Sequence, residues 1–312
     1  MELPRYESFL GFSEKDLPDE ATVMRLVDKM IDDLEARRVA PVADPYTGPA
    51  ILSGRASGVF FHEIFGHRLE GHRQKLSQES QTFKKMIGED VLPKDFNVYF
   101  DPTLRTMAGT SLAGYYLYDD QGVKTRRIDV VQDGVLKTFL MSRTPIQGMP
   151  QSNGHGRAQA GLNPVARQSN LIVEVSPSAV QPDLKKLLID EIKKKGLPYG
   201  LYFDDISGGF TFTGRTIPNA FNVMPLMVYR ISPDGREELV RGVDLIGTPL
   251  TTFSKIEAAD NHLAVFNGIC GAESGGVPVS AVSPAILVSQ IEVQKKAKSQ
   301  SRPPILPAPS EK

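Results

Sequence analysis

The sequence predicts an α+β fold: a large, mostly antiparallel twisted sheet with a few helices and a histidine motif on a distorted helix. Two observations carry this. Short strand-like runs with hairpin turn signals dominate residues 95–255, and two stretches with helical apolar spacing stand apart from them.

Taken in order, residues 19–38 are expected to be helical. Val23, Leu26, Val27, Met30, Ile31 and Leu34 recur at helical spacing, and acidic residues open the segment. Pro41, Pro45 and Pro49 punctuate a loop into Ala50-Ile51-Leu52. A short helix is expected to carry the motif from Val59, capped by Ser53 or Ser57, and a further helix is expected near 78–88. Strands are expected at Asn97–Phe100, Arg127–Val131, Val135–Met141, Leu171–Val175, Tyr199–Ile206 and Val223–Ile231. Asp133-Gly134 and Asp234-Gly235 sit between strand-like runs as hairpin turns. One helix interrupts the strands, with Asp183 as cap, Leu184, Leu187, Leu188 and Ile192 as its apolar stripe, and Gly196 as its stop.

These elements group into three units. Residues 1–48 form an N-terminal helical segment, 49–290 a main domain, and 291–312 an extended tail rich in Pro, Lys and Ser. With 312 residues and 40% hydrophobic content the chain can bury a substantial core. A net charge of −1 gives no electrostatic footprint for nucleic acid. No run of about 18 apolar residues suggests a membrane span, and the N-terminal residues do not read as a secretory signal. The single cysteine rules out an intrachain disulfide and fits a reducing compartment, so a cytoplasmic location is expected.

The most informative stretch is His62-Glu63-Ile64-Phe65-Gly66-His67. In the zinc-protease pattern His-Glu-x-x-His the two histidines are four apart and share a helix face. Here they are five apart, which a regular helix would splay by about 140°. A metal site therefore requires a local i→i+5 turn, and such π-bulges often mark functional sites. Gly66 would ease the distortion. Glu63 then stands where a general base stands in such enzymes.

A catalytic zinc takes three protein ligands and keeps one position open. The third ligand could be His72, His155, His262, Cys270 or a carboxylate such as Glu70. Cys270 is favoured because it lies in a glycine-rich run, Asn267 to Gly276, and thiolate binds zinc strongly. Glu70 could instead orient a ligand histidine. The polar loop Ser152 to Arg157 makes His155 and Arg157 candidates for binding substrate or stabilising an oxyanion. Backbone N–H groups of Ser274 and Gly275 are candidates for contact with a substrate main chain.

Several separated segments together resemble the TldD/PmbA family of metallopeptidases. Gly58 to Gly71 resembles its His-Glu-x-x-x-His helix, and Asp119 to Val123 with Asp133 to Leu136 its following hairpin region. Asn153 to Arg157 resembles its Gly-Arg loop, and Cys270 through Ser280 its cysteine segment. The resemblance spans roughly 50–290. It implies a zinc cofactor on His62, His67 and Cys270, with Glu63 as the catalytic residue. It implies a peptidase that takes unfolded or extended peptides into a closed chamber, where the substrate strand pairs with a sheet edge. TldD-like subunits that keep the motif pair with PmbA-like subunits that lack it. This chain keeps it, so a homodimer or a heterodimer with a PmbA-like subunit is expected, with this chain as the catalytic partner. The family also carries an N-terminal domain ahead of the motif, so the chain is expected to correspond to the C-terminal catalytic domain alone. The alternatives are a non-catalytic partner or scaffold with a structural or vestigial metal, and an amidase acting on a non-peptide amide.

Overall fold

The computed structural model describes residues 3–75, 82–214, 221–247 and 253–296. Helix α1 (Glu20–Val39) leads into strand β1 (Tyr46–Leu52) and helix α2 (Gly54–Phe60). The chain continues as a π-turn (Phe61–Phe65) and two 3-10 turns (Gly66–Leu69 and Gly71–Gln74). Strands β2 (Phe96–Phe100), β3 (Thr106–Met107), β4 (Thr110–Ser111), β5 (Ile128–Gln132), β6 (Val135–Leu136), β7 (Gly156–Arg157), β8 (Val165–Ala166) and β9 (Asn170–Val175) follow. Helix α3 (Leu184–Lys195) separates them from β10 (Gly200–Thr211), β11 (Phe221–Ile231), β12 (Glu237–Val240), β13 (Val243–Gly247) and β14 (Ile256–Ala259). The last three strands are β15 (Ala264–Ala272), β16 (Gly275–Ser283) and β17 (Ile286–Lys295).

The fold is α+β, but the strands form two principal sheets rather than one. The first has seven strands, in the order β1-β10-β11-β13-β17-β14 with β12 on β11. Because β17 pairs with both β13 and β1, five of these strands close into a ring, which removes the exposed edges an open sheet would leave. The second has six, in the order β15-β16-β9-β2-β5-β6. Most pairings are antiparallel; β1 with β10 and β16 with β9 are parallel. Helix α2 lies between the two sheets, packed on β10 from one and on β15 and β16 from the other. Its wholly buried apolar residues, Ala56, Val59 and Phe60, make it the central core element rather than a surface helix.

Several local expectations hold for local reasons. Asp183 accepts from the Lys186 amide, and Gly196 closes α3 in the left-handed conformation at φ 64°. Asp133 and Gly134 both have positive φ, as a tight hairpin between β5 and β6 needs. Ser53, not Ser57, caps α2 by accepting from the Ala56 amide, while Ser57 meets the Ser283 hydroxyl at 2.8 Å.

Others differ. Strand β6 ends at Leu136, because the chain turns away to pair with the motif instead: the Leu140 amide donates to Leu69, and the Gly71 amide donates to Leu140. Strand β10 runs longer than expected, to Thr211, and β17, where no strand was expected, continues to Lys295, into the segment expected as tail. Residues 297–312, and 78–81 of the expected helix near 78–88, lie outside the described residues; 82–88 contains turns and no helix. The apolar stripe of α1 is only half covered, and its one buried residue is Arg37, whose guanidinium donates to the Pro4 carbonyl.

Candidate metal centre

The backbone after α2 changes its hydrogen-bond register at the motif. The Gly66 amide reaches back to both His62 and Phe61 carbonyls, the latter an i→i+5 bond. This π-turn cancels the extra residue in the spacing, and the two imidazoles meet with ring centroids 5.0 Å apart at 79°. Gly66 has an ordinary helical φ of −57°, so conformational freedom is not its role. A Cβ there would stand 1.9 Å from Gln168 Oε1. The missing side chain makes room for the buried Gln168, whose Nε2 donates to the His62 carbonyl at 3.1 Å. Gly66→Ala is therefore expected to push Gln168 off that carbonyl and weaken metal retention about 10–100-fold, as loss of an outer support does; an unchanged metal affinity in a competition titration would contradict this.

From the second sheet, β15 brings Cys270 to the same point, 203 residues from His67 in sequence, with Sγ 3.4 Å from His67 Nε2. The ligand atoms of His62, His67 and Cys270 all lie within 4.8 Å of one another, and all three residues are buried. Zinc at about 2.0–2.3 Å from each donor would set neighbouring ligands roughly 3.5 Å apart, so the residues present fit the ion. Two imidazoles and one thiolate are a donor set that zinc favours.

The polar surroundings orient these donors. Glu70 is fully buried and takes His67 Nδ1 at 3.1 Å, which leaves Nε2 facing the thiol. Burial alone would raise the Glu70 pKa, but His67, Arg73 and Arg167 around it hold it well below its usual range. Burial would likewise raise the Cys270 thiol, yet the imidazoles of His67 and His62 hold it well down. For His67, burial opposes charging, while Cys270 and Glu70 pull its pKa well up. Each of these groups thus favours the charged form of its neighbour.

Glu63 lies beside the donors, its Oε2 3.9 Å from His67 Nε2. Its side chain packs over β10, where a Cβ on Gly209 would come within 2.8 Å of Glu63 Cγ. A cavity of 490 Å³ opens here, lined by His62, Glu63, His67, Cys270 and the cavity-facing stretches of β10 and β15, a size suited to a small ligand or a few peptide residues. The N-terminal segment supplies another wall with Tyr6 and Ser8. It is tied down by Arg5 on Asp33 and Asp205, and by the Tyr6 hydroxyl donating to the Ser207 carbonyl at 2.7 Å. Nothing in the sequence pattern pointed to this segment.

The structure places His155, Arg157, Ser274 and Gly275, expected to bind substrate, outside the residues that line this cavity. His155 is fully buried between Asn153 and Ser169, and burial pushes its pKa down to about 3, which keeps the imidazole neutral. Arg157 is buried too, donating to the Gln168 and Pro278 carbonyls and stacking over Tyr116. The Ser274 hydroxyl and Gly275 carbonyl accept from Arg167. His72 pairs with Glu273 rather than joining the donors, and His262 is exposed. Sequence reasoning also missed Arg73, which donates to Glu70 at 2.8 Å and to Glu273 at 3.0 Å, and the buried Arg167. A buried arginine leaves no periodic signature, so no sequence signal marked either.

The profile of the family described as PmbA/TldA metallopeptidase C-terminal domain matches residues 45–295. A metalloprotease of Archaeoglobus fulgidus is 26% identical over 92% of this chain and 60% of its own. A protein named zinc metalloprotease TldD homolog, from Saccharolobus solfataricus, is 26% identical over 81% of this chain and 52% of its own. The chain spans about half the length of the curated relatives it matches. Among solved structures, TldE from Thermococcus kodakarensis superposes with a TM-score of 0.61 over 87% of this chain and 55% of that one, at 14% identity, a likeness of fold. No helix among the described residues is long and apolar enough to cross a membrane.

Proposed function

The chain belongs to the PmbA/TldD metallopeptidase family, and from that premise we propose that it is a zinc-dependent peptidase hydrolysing extended or unfolded peptides. The observation that carries the reading is the convergence of His62, His67 and Cys270 beside Glu63 on the wall of one cavity. A zinc ion held by those three residues would polarise a substrate carbonyl and make water acidic enough to attack near neutral pH. Glu63 then accepts the proton of the attacking water on its carboxylate and returns it to the departing amine. Glu70 keeps His67 in the tautomer that presents Nε2. The stretch of β10 that lines the cavity beyond its pairing with β1 suits a peptide main chain adding as a strand.

The rival reading, a scaffold with a structural metal, calls for a fourth protein ligand. Among the described residues the donor group has three members, and His72 and Glu70 are engaged elsewhere. A partner, either a second copy or a PmbA-like subunit, and a cytoplasmic setting that keeps Cys270 reduced complete the proposal. The test is elemental analysis of the chain purified without chelator, with hydrolysis of an unstructured peptide assayed before and after chelation. About one zinc per chain and chelator-sensitive cleavage are expected; cleavage that survives removal of all metal would overturn the reading.

A further inference from the structure

Behind the donor group, on the side away from the cavity, Arg167 is fully buried. It follows β8 directly, and its amide donates to the His155 carbonyl at 2.9 Å. Its guanidinium touches the centre in two ways. Nη2 lies 3.2 Å from Cys270 Sγ and also donates to the Cys270 carbonyl. Nε faces Glu70 Oε1 at 3.4 Å, a pairing held by charge rather than by a directed hydrogen bond. Nη1 is spent on the Ser274 hydroxyl and the Gly275 carbonyl, in the turn that joins β15 to β16. One planar group therefore fixes the ligand sulfur and the turn beyond it, and also bears on the carboxylate that orients His67. Lysine, a single point donor, could not span these partners.

We propose that Arg167 is a positioning residue of the metal centre, donating a charge-assisted hydrogen bond to the Cys270 thiolate and clamping Glu70 behind His67. This rests on the metal-site reading above. Such a bond draws electron density from sulfur, so it leaves a bound metal the stronger Lewis acid while holding the ligand in place. The Arg167 backbone is held in turn by His155, whose carbonyl accepts from it and whose ring meets Asn153.

The test uses the full chain loaded with cobalt(II), whose sulfur-to-metal charge-transfer absorption reports on the thiolate directly. Arg167→Met should move that band to lower energy and weaken cobalt binding about 10–100-fold. Arg167→Lys should give a smaller shift in the same direction. Ser274→Ala, which loosens one anchor of the guanidinium, provides a folded control should Arg167→Met not fold, and it should also shift the band to lower energy. A band unmoved in Arg167→Lys and Ser274→Ala would overturn the role of Arg167 and leave the metal site standing. A wild-type chain that takes up no cobalt, or whose spectrum is unchanged by Cys270→Ala, would overturn the metal site and this inference with it.

Discussion

Cys270→Ala and His67→Ala are each expected to reduce bound zinc from about one per chain to a trace. Each removes one of the three donors that converge among the described residues, and two ligands cannot hold the ion against water. The loss should be larger for Cys270, because the thiolate brings a full charge into a site that is otherwise buried. In the metal-free protein Cys270→Ala also removes a sulfur partner of His67 and Arg167, which both face Glu70 as well, so some loss of stability is expected even before metal is considered. Elemental analysis beside a melting curve separates the two effects. Full zinc occupancy in either variant would mean that the ion sits elsewhere. His72→Ala, by contrast, should keep its zinc, since His72 pairs with Glu273 outside the donor group.

Glu63→Gln should have the opposite signature: zinc stays at about one per chain while peptide hydrolysis falls on the order of a thousandfold. Glutamine keeps the shape that packs over Gly209 and leaves the Glu63 carbonyl free to accept from Arg68. It cannot take up a proton, so the loss falls on turnover rather than on folding or metal binding. Equal losses of zinc and activity would make Glu63 a structural residue. Retained activity would remove it from the chemistry altogether, and the base would then have to be sought among the other groups on the cavity wall. Arg73 and Glu273 also line that wall, but they are committed to each other at 3.0 Å.

The sequence by itself determined what depends on neighbours along the chain. The caps and apolar stripe of α3, the Asp-Gly hairpin and the five-residue histidine spacing that demands a π-turn are set within a few residues. Glu70 as the partner of His67 belongs to the same class, since three residues separate them. What only the tertiary structure decided is which distant groups meet. Helix α2 is clamped between two sheets, so the thiol from β15 arrives at His67, and the guanidinium after β8 at that thiol, from remote parts of the chain. Periodicity carries no record of such a meeting, because each of those residues satisfies its own strand or loop equally well wherever its side chain ends. The same physics explains where the structure departs from the look of the sequence. The loop with His155 and Arg157 has the polar, glycine-rich look of an open binding loop, yet the fold buries both side chains and satisfies them on backbone carbonyls and neighbouring side chains. Gly66 invites an argument from backbone freedom, whereas its lack of a side chain matters only because Gln168, more than a hundred residues later, needs the space. Burial and long-range packing, not residue type, assigned those roles.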